Sequence, residues 1–497
     1  MELNNVKEIP VNATNTANTA NTVDTDVLVI GAGPTGLALA VDLARRGVPA
    51  LVVERAEGLF PGSRGKGLQP RTLEVFDDLG VVDAVRAAAG PYPVGVIWQD
   101  GERKGEHRMS DETRASEAEP YHEPWMLPQW RTQEILGARL TELGAGVAFG
   151  RELVGIAQDA DGVTASFASG APVRARYAVA ADGGRSTVRR ALGIGMTGEP
   201  GMTMDPNPTL VADVRITGLD RGNIHFFPPA EGGGEGDGFL AIFPLAGTED
   251  FQVMAQFAEG TQVDLSLDGI RKTVGARSHL SPEDVTEVRW ASDFRPRAAM
   301  ADRFRQGRVF LAGDAAHVHS PAGGQGLNTS VQDAYNLGWK LDAVLRGGAA
   351  PSLLDSYEEE RLPNAADMLG LSTRVHRGQV RRGAATRQLG LGYRGSSLAV
   401  ETRAGLPEDA LQAGDRAPDG VRGGVRLFDA FRGPHWTLLA VGTATGLPTL
   451  SGARTVRIPP YEAYGTGIFL VRPDGYVGWA GGTAEGLGAY AARWGVA

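Results

Sequence analysis

Cysteine is absent from this chain of 497 residues. Its absence excludes disulfide bonds, thiolate metal sites, dithiol redox chemistry and a cysteine nucleophile. Any oxidation or reduction that this protein carries out must therefore depend on a bound cofactor, since the thiol chemistry that proteins use for such steps is missing.

Runs of basic residues and long apolar runs are missing as well. The formal net charge is −10, and no cluster of Lys or Arg forms a basic arm, so we expect neither nucleic acid nor an anionic membrane as the main partner. No stretch of about 18 apolar residues predicts a transmembrane helix. Residues 1–23 are polar and lack the apolar segment of a secretory signal, so we interpret them as a disordered tail and expect a cytoplasmic location.

An almost wholly apolar run at 26–30 precedes the first of three glycine-bearing segments. The run predicts a buried parallel strand, residues 37–46 predict a helix that ends at Gly47, and 49–54 predict a second strand. These elements make a βαβ unit of about 30 residues. The length of the whole chain predicts two or three domains.

The turn inside this unit carries Gly31-Ala32-Gly33-Pro34-Thr35-Gly36. Gly31 permits the tight turn, Gly33 lets the backbone approach a pyrophosphate, and Gly36 lets helix and strand pack closely. Free N–H groups and the positive end of the helix dipole then face the phosphates. Glu54 ends the second strand, where an acid accepts hydrogen bonds from ribose hydroxyls and disfavours a 2′-phosphate. The unit therefore predicts the adenosine diphosphate half of FAD or NAD, although an ordinary glycine-rich turn shares part of the pattern.

The second segment is Asp182-Gly183-Gly184-Arg185-Ser186-Thr187-Val188-Arg189, which follows a predicted strand at 177–181. Gly183 again allows close backbone approach. Arg185 and Arg189 offer forked donors to phosphate oxygens. The alternative is a surface turn before a solvated basic helix.

The third segment spans 311–317 and continues through 321–328, Pro-Ala-Gly-Gly-Gln-Gly-Leu-Asn. Asp314 lies at a strand end, where its carboxylate can bind a polyol hydroxyl, and the glycine loop can give N–H groups to a carbonyl-rich ring. A polyol and a ring beside a dinucleotide site describe a flavin. His317 and His319 are spaced like metal ligands, but no acid cluster supports them, so we expect no metal.

Hydrophobic periodicity predicts further elements between the motifs and after them. We expect antiparallel strands, in a sheet open on one face, at 210–216, 239–244 and 251–257. We expect a hairpin turn at 159–162, a parallel strand at 308–312, and a small α/β unit after 414. Helices are predicted at 70–79, at 129–143 with Thr132 as N-cap, at 329–346, and at 352–382 with a kink or break near Pro363.

Together the segments resemble the class A flavoprotein aromatic hydroxylases of the p-hydroxybenzoate hydroxylase fold, and especially the branch that tailors aromatic polyketides in actinobacteria. The matching segments are Ser63-Arg64-Gly65, Pro128-Gln129, Asp182-Gly183 and Gly313-Asp314. Residues 414–419, 426–429 and 471–475 resemble the thioredoxin-like C-terminal domain of that branch. Without cysteine, this domain is left with a packing or dimer-contact role.

The resemblance implies an α/β fold class with a Rossmann-like FAD-binding domain, an inserted antiparallel-sheet substrate domain and a C-terminal thioredoxin-like domain. The expected boundaries are 24–93, 126–196 and 290–400 for the FAD-binding domain with its long helices, 94–125 and 197–289 for the substrate-binding domain, and 410–497 for the thioredoxin-like domain.

The resemblance also implies roles for single residues at the cofactor. Glu54 would bind the adenosine ribose, and Arg64 and Gln129 would contact the phosphates or the ribityl region. Asp314 would bind the ribityl chain or the pyrophosphate. The full set of cofactor-binding residues predicted from motifs and resemblance is Gly31, Gly33, Thr35, Gly36, Glu54, Arg55, Arg64, Gln129, Asp182, Gly183, Asp314, Pro321, Gly326, Leu327 and Asn328.

At the flavin ring, Leu327 and Asn328 would contact the isoalloxazine. The backbone carbonyl of Pro321 would sit over the flavin C4a region, which makes Pro321 a candidate catalytic residue. Gln325 stands where some relatives carry Lys, so the charge near the ring stays open.

The implied activity is that of an FAD-dependent monooxygenase. NADPH or NADH would reduce FAD, O₂ would react with it, and a C4a-hydroperoxyflavin would hydroxylate a phenolic or polycyclic aromatic substrate. Arg64 and Arg185 are the expected site of transient nicotinamide binding, because no second unit in which GxGxxG follows an apolar strand is visible. We expect a monomer or a homodimer.

The predicted strands supply candidates for the substrate pocket. These residues are Phe226, Phe239, Phe243 and Met254, with Phe227 and Phe257 as further candidates. Core packing is the more common fate of such side chains, so we expect about half of the six to have no contact with substrate. His225 is a second candidate catalytic residue, as the acceptor of a phenol proton, although a solvent-facing strand histidine is the more ordinary interpretation.

Two other functions remain open from the sequence. A Baeyer–Villiger-type oxygenase on the same fold would attack a ketone instead of a ring. A non-catalytic flavin-binding partner in a biosynthetic complex would bind FAD without turnover. A flavin halogenase is disfavoured because the chain has no Trp-x-Trp-x-Ile-Pro segment.

Overall fold

The structure, a computed structural model, describes residues 24–109, 111–198, 207–229, 237–320, 323–442 and 446–496. The predicted disordered tail at 1–23 and the candidate residue Pro321 lie outside these ranges. Within them, no helix is both long enough and apolar enough to cross a membrane.

The first glycine motif lies at the edge of an eight-stranded sheet, the nucleotide sheet, which contains the predicted βαβ unit. Thr25–Ile30 is central, and it pairs in parallel with Ala50–Val53 on one side and Val173–Ala180 on the other. The remaining strands are Val147–Ala148, Leu153–Gln158, Val163–Phe167, Arg305–Gln306 and Val309–Leu311. Val309–Leu311 is parallel to Val173–Ala180 and confirms the predicted return to parallel pairing. Because the carboxyl ends of parallel strands meet at one edge, the three motifs are brought to the same side of the sheet.

Ten α-helices are assigned in the described ranges. They are α1 (Pro34–Arg45), α2 (Pro70–Asp78), α3 (Val82–Ala88), α4 (Gln129–Glu142), α5 (Thr187–Ala191), α6 (Leu267–Arg277), α7 (Gly326–Leu345), α8 (Asp355–His376), α9 (Leu427–Phe431) and α10 (Leu487–Arg493). Short 3₁₀ turns occur at Pro282–Asp284, Gly313–Ala315, Pro351–Leu354 and Ala384–Arg387. Helices α1 and α7 pack against each other beside the nucleotide sheet.

Two details of the helix predictions are wrong. Pro128, not Thr132, is the N-cap of α4, and Thr132 lies in the first turn, where its hydroxyl donates to the Pro128 carbonyl at 3.4 Å. Helix α8 ends at His376 rather than near 382, and it passes through Pro363 without the break that was one of the two predicted alternatives. Proline removes one backbone hydrogen bond, and the buried residues on both sides of it hold the helix together.

A seven-stranded sheet, the substrate sheet, lies beside the nucleotide sheet. Its strands, in spatial order, are Val285–Phe294, Thr209–Ile216, Phe251–Phe257, Asp237–Pro244, Asn223–Phe227, Val94–Gln99 and Glu102–His107. Helix α6 covers one face, where Ile270 and Val274 join the sheet's core. The other face, predicted to be open, carries a small apolar cluster that turns towards the glycine motifs.

The remaining strands form four smaller sheets. Three short ones comprise Gly67–Leu68, Gly90–Pro91 and Trp125–Met126; Met196–Gly198, Ala299–Ala301 and His317–Val318; and Val421–Arg422 with Val425–Arg426. The C-terminal sheet has the order Val400–Glu401, Val477–Gly481, Gly467–Val471, Trp436–Val441 and Ala453–Ile458. Its core includes Trp339 of α7, so this sheet packs directly on the central helices.

Candidate functional site

The three glycine motifs meet in direct contact. Gly31 has a φ of 105°, and a Cβ added there would overlap the carbonyl oxygen of Ala181, next to the second motif. Gly313 has a φ of 62°, and a Cβ there would lie 2.5 Å from the Thr35 Oγ1 of the first motif. Both positions need glycine for conformation and for close approach. The motifs, which are far apart in the chain, therefore form one site.

Open space lies in front of this contact. A Cβ built at Gly33 or Gly183 meets no described atom within 4 Å, whereas one at Gly36 would overlap the Gly31 carbonyl. Gly36 thus packs helix α1 against the turn, as predicted, while Gly33 and Gly183 border a cleft. A cleft floored by glycine backbone fits a pyrophosphate.

Two helices turn uncapped N-termini towards the site. Gly33 and Gln325 precede α1 and α7, neither gives a side-chain cap, and neither helix has an acid in its first turn. The first backbone N–H groups of a helix lack intrahelical partners. Those of α1 suit phosphate and those of α7, at Gly326 to Asn328, suit a ring carbonyl or a developing anion.

Glu54 lies beside the first turn. Its Oε2 accepts a hydrogen bond from the Ala32 N–H at 2.9 Å, and its Oε1 accepts one from Ala56 at 3.0 Å. The carboxylate is thereby oriented and keeps lone pairs for ribose hydroxyls. Arg55, the next residue, is exposed.

Asp314 follows the strand Val309–Leu311. Its side chain is accessible to solvent, although many protein atoms lie around it. Burial raises the pKa of Asp314, and the charges of His317 and Arg64 oppose that rise. The positive charge of Arg64 thus acts on Asp314, and its guanidinium lies over the rings of Phe60 at 5.2 Å and Trp290 at 6.0 Å.

Asp182 supports the second motif and keeps one oxygen open. Its Oδ2 accepts hydrogen bonds from the backbone N–H groups of Thr187 at 2.8 Å and Val188 at 3.2 Å, at the start of α5. Its Oδ1 is buried and has no partner in the described part of the chain. Burial raises the pKa of this carboxyl. A buried acceptor without a donor calls for a ligand or a water.

Arg189 does not act as the predicted phosphate fork. Its guanidinium donates to the carbonyls of Ala315 at 2.9 Å and Gly184 at 3.0 Å. It thus ties the second motif to the third, while Arg185 remains exposed. Sequence alone could not distinguish these roles, since both require a forked cation after a glycine turn.

Asn328 and Gln129 hold the loop at 62–69 against the start of α7. Asn328 accepts from the Gln69 N–H at 2.8 Å and donates to the carbonyls of Gly67 and Gly324, each at 2.9 Å. Gln129 Oε1 accepts from the Gly65 N–H at 3.0 Å. The side-chain amide of Asn328 thus bonds backbone groups of Gln69, Gly67 and Gly324. The predicted contact with the flavin ring would therefore be made by the backbone N–H of Asn328.

Leu327 lines the same corner. Its Cδ1 would lie 3.5 Å from a Cβ at Gly65. It therefore gives an apolar surface between the loop at 62–69 and the N-terminus of α7.

Asp333 of α7 was missed by the sequence analysis. It is fully buried, its Oδ2 accepts from the Gly313 N–H at 2.9 Å and bonds His317 Nε2 at 2.6 Å, and its Oδ1 accepts from Arg361 Nε at 2.8 Å. Burial opposes ionisation, but His317 and Arg361 outweigh it and lower the pKa of Asp333. This carboxylate therefore positions the Gly313-Asp314 turn from behind.

His317 and His319 belong to the same hydrogen-bonded network as Asp333, behind the Gly313-Asp314 turn. His317 Nδ1 and His319 Nε2 are 3.0 Å apart, and burial lowers the pKa of His319 to about 3. The described ranges contain no cluster of three or more His, Cys, Asp or Glu residues suited to a metal ion.

The apolar cluster of the substrate sheet faces the loop at 62–69. It contains Phe226, Phe243 and Met254 together with Tyr92, Met109, Met126, Ile224 and Ala241. The rings of Phe226 and Phe243 are 6.0 Å apart at 86°. Phe227 and Phe257 instead belong to the core of the opposite face. Phe239 lies at the rim, 37% exposed.

Two clefts meet at Tyr92 and Met109, beside this cluster. One has a volume of about 300 Å³ and is bordered by Arg108 and Glu123. The other reaches inwards to Arg382. A space of this size is at the lower end of what a small-molecule site needs.

His225 is buried, and the expectation that it faces solvent is wrong. It points to the opposite face of the strand from Phe226, because side chains alternate along a strand. Its Nδ1 accepts from the Trp98 indole N–H at 3.1 Å, and its Nε2 bonds the Asp220 carbonyl at 2.7 Å. Burial lowers its pKa. With both nitrogens engaged away from the cluster, His225 is not placed to accept a phenol proton.

Lys66 is a second residue that the sequence analysis missed. Its Nζ lies 3.8 Å from the centre of the Phe243 ring, donates to Gln252 Oε1 at 2.5 Å and is 3.7 Å from Met254 Sδ. An amine is thus placed against the apolar cluster. No sequence signal marks it, because a lysine in a glycine loop is ordinarily solvated.

Comparison with known proteins identifies the family. The FAD binding domain family matches residues 24–372. The chain is 46% identical over 465 residues to a flavin-dependent monooxygenase of Mycobacteroides abscessus, covering 91% of this chain and 96% of the relative. It is 32% identical over 498 residues to a rifampicin monooxygenase of Rhodococcus hoagii, covering 95% and 98% of the two chains.

Among solved structures, the ternary complex of aklavinone-11 hydroxylase with FAD and aklavinone is similar, with a TM-score of 0.80 and 29% identity over 96% of this chain and 99% of that one. The meeting of the three motifs, the family match and these likenesses agree. The chain belongs to the FAD-binding family of flavin-dependent monooxygenases.

Proposed function

We propose that this protein hydroxylates a fused-ring phenol, with NADPH or NADH as the electron donor and O₂ as the oxidant. The observation that supports this most directly is the position of the loop at 62–69, which contacts Leu327 at the start of α7 through Gly65 and the apolar cluster of the substrate sheet through Lys66. Rifampicin and aklavinone, named for two of the similar proteins, both carry phenols on fused aromatic rings. They are the first candidates for the substrate class.

The chain's own residues fit FAD. Among the described residues, Asp182 has a buried acceptor without a partner, Gly33 and Gly183 border open space, and the N-termini of α1 and α7 lack side-chain caps. When bound, FAD supplies the redox chemistry that activates O₂. We assign the adenosine ribose to Glu54 and the polyol to Asp314.

The protein's remaining task is to orient the substrate and to exclude water. The rings of Phe226 and Phe243 and the side chain of Met254 supply an apolar wall, and the loop at 62–69 closes the space against α7. Product formation would then depend on a dry cavity, since water destroys an activated oxygen species before transfer.

Oxygen uptake by the FAD-loaded protein tests the function. We expect rifampicin or aklavinone to stimulate NAD(P)H oxidation and O₂ consumption, with a product heavier by one oxygen atom. NMR of the product separates ring hydroxylation from insertion beside a ketone. A flavin-loaded protein whose O₂ uptake no fused-ring phenol stimulates would contradict the proposal and favour a non-catalytic role.

Gly33→Ala is expected to weaken FAD binding by about 10- to 100-fold without destabilising the apoprotein. Gly33 has a φ of −70°, which alanine tolerates, and the added methyl enters only open space. It would push a phosphate off the N–H groups of α1, each such charge-assisted bond being worth about 1.5–3 kcal/mol.

Titration of the apoprotein with FAD, followed by flavin fluorescence, measures this effect. Gly105→Ala is the matched control: a Cβ there also meets no described atom within 4 Å, but it lies on the outer strand Glu102–His107. Equal FAD affinities for the two variants would argue against a pyrophosphate at Gly33.

We also propose that residues 410–497 form a thioredoxin-like domain. In the C-terminal sheet, Trp436–Val441 is parallel to Ala453–Ile458 and antiparallel to Gly467–Val471, which pairs antiparallel with Val477–Gly481 before α10. This order supports the assignment. Packing on α7 through Trp339 gives the domain a structural role that needs no thiol.

A further inference from the structure

Lys66 brings a cation to the wall of the apolar cluster without a carboxylate at its side. Within the described ranges, no Asp or Glu oxygen lies within 4.0 Å of its Nζ, although such pairs are common elsewhere in the chain. An ammonium group has three N–H donors. Gln252 takes one, and the Met254 sulfur is at most a weak acceptor. At least one donor therefore remains for a ligand.

The amide of Gln252 fixes the direction of this lysine. Its Nε2 donates to the Ser63 carbonyl and lies 3.4 Å from Asp213 Oδ1, so its Oε1 is the oxygen that faces Lys66. Asp213 therefore reaches Lys66 only through the amide. Lys66 is partly exposed, but its amine lies against the Phe243 ring and the Met254 sulfur, where a direct counter-ion would be expected to stabilise it. A lysine with a purely structural role would therefore be expected to pair with this acid directly.

Charged and titratable groups face Lys66 from three neighbouring elements. Arg382, after α8, repels its positive charge, and Asp213 of the strand Thr209–Ile216 attracts it. The hydroxyl of Tyr92, before the substrate sheet, lies against Gly67. Burial and, next, Arg382 lower the pKa of Lys66 to about 7, while burial raises the pKa of Asp213 to about 6.

Lys66 and Arg382 both lie close to the glycine motifs. Arg382 Nη2 lies 3.8 Å from a Cβ built at Gly324, in the loop before α7. Lys66 itself stands two residues from Arg64 and next to Gly65, which contacts Gln129. A molecule lying between Phe243 and the glycine loop would therefore present one edge to the Lys66 amine.

We propose that Lys66 binds an ionised oxygen of the substrate, a phenolate or an enolate, at this edge. The inference rests on the proposed function and names the charge state of its substrate. A neutral phenol can enter with a neutral amine: the O–H bond breaks, an N–H bond forms on Nζ, and a phenolate–ammonium pair results without a change in net charge. An anionic oxygen makes the ring richer in electrons, which favours attack by an electrophilic oxygen.

Binding of 2-hydroxyanthraquinone tests the proposal, because its visible absorbance reports ionisation. In oxidised, FAD-loaded protein without NAD(P)H, we expect the phenol pKa of the bound probe to fall by about one to two units from its value in water. Each unit corresponds to tenfold tighter binding of the anion than of the neutral form. The methyl ether of the probe cannot ionise and serves as the neutral reference.

Three variants separate charge from packing. Lys66→Met keeps the length of the side chain and removes its charge, so the pKa shift should disappear and the probe should bind about 10- to 100-fold more weakly, with the ether unaffected. Lys66→Arg should retain most of the shift. Lys104→Met, on the exposed outer strand, removes a lysine that pairs with Glu102 and should change neither quantity.

A wild-type protein that leaves the phenol pKa of the probe unchanged would overturn the proposal, as would a Lys66→Met variant with full FAD content and an undiminished shift. A different measurement, O₂ uptake, tests the proposed function. If substrates stimulate no O₂ uptake but the Lys66-dependent shift is present, the hydroxylase assignment falls and the phenolate site stands.

Discussion

Replacing Glu360 with alanine is expected to lower the free energy of unfolding by about 3–5 kcal/mol. Glu360 is buried in α8. Its carboxylate accepts from Arg472 at 2.6 and 3.0 Å, from Lys340 at 2.7 Å, from Asn336 at 2.7 Å and from Ser396 at 2.7 Å. Both carboxylate oxygens accept more than one hydrogen bond. The loss of this acid leaves Lys340 without a carboxylate partner among the described residues and leaves Arg472 with Asp474 alone.

The expected cost is large because Glu360 and its partners join the central helices to the C-terminal sheet. Lys340 and Glu360 belong to the central helices α7 and α8, whereas Arg472 and Asp474 follow the strand Gly467–Val471 of the C-terminal sheet. Asp474 Oδ2 accepts from the Trp339 indole N–H at 3.0 Å and can offset only part of the exposed charge. The substitution should therefore loosen the C-terminal sheet first.

Urea unfolding of Glu360→Ala and of Glu359→Ala measures the effect. Glu359 is exposed, and within the described part of the chain its side chain bonds only Ser397, so its removal should cost about 1 kcal/mol or less. Arg472 and Lys340 lower the pKa of Glu360 despite its burial. Its contribution is therefore complete above the unfolded pKa near 4.3 and is lost as the pH falls through the lower folded value. The wild type and the Glu360 variant should converge in strong acid; a similar cost for both glutamates at pH 7 would contradict this account.

The glycine motifs were readable from the sequence because their chemistry is local. Gly31 and Gly313 have positive φ and neighbours that exclude a Cβ, and such constraints impose a residue type at a position. The hairpin at 159–162 was predicted for the same reason: Asp159 and Gly162 close it through their own backbone and side chain.

Residues whose role depends on distant partners were misassigned or missed. Arg189 fits a phosphate fork by spacing, but its acceptors are the carbonyls of Ala315 and Gly184. The alternation of side chains correctly predicts a strand at His225. It could not show that Trp98 covers the imidazole and buries it. Pro363 predicts a helix break by local rules, and tertiary packing of α8 overrides them. Lys66 acquires its significance from Phe243 and Gln252, which lie far from it in sequence.

Asp333 shows how such a distant partner controls the predicted flavin contact. Its Oδ2 holds the Gly313 N–H, and Gly313 adopts a φ of 62° that places Asp314 at the cleft. Gly313 also lies against Thr35 of the first motif. Any movement of this turn would therefore be transmitted both to Asp314, proposed for the polyol, and to the first motif, proposed for the pyrophosphate.

Asp333→Ala is expected to weaken FAD binding by about 10- to 100-fold, or about 1.4–2.7 kcal/mol, and to lower stability by about 3–5 kcal/mol. Arg361 and His317 would lose their common acceptor in a buried site, and the Gly313 N–H would be left unpaired. The loss of FAD affinity follows although no atom of Asp333 borders the cleft. FAD titration at low temperature, with circular dichroism to confirm folding, separates it from unfolding.

Asp342→Ala is the control on the same helix. Asp342 is partly exposed and lies 3.8 Å from Arg46, a pair worth about 0–1 kcal/mol, so FAD affinity should stay unchanged. Asp333→Asn is the sharper variant, because an amide can still accept from Gly313 but carries no charge for Arg361. Compared with Asp333→Ala, it should recover more of the FAD affinity than of the stability, because one hydrogen bond holds the turn whereas charge holds the ion pair with Arg361. An Asn variant that recovers neither quantity would mean that the charge of Asp333 itself holds the turn in place.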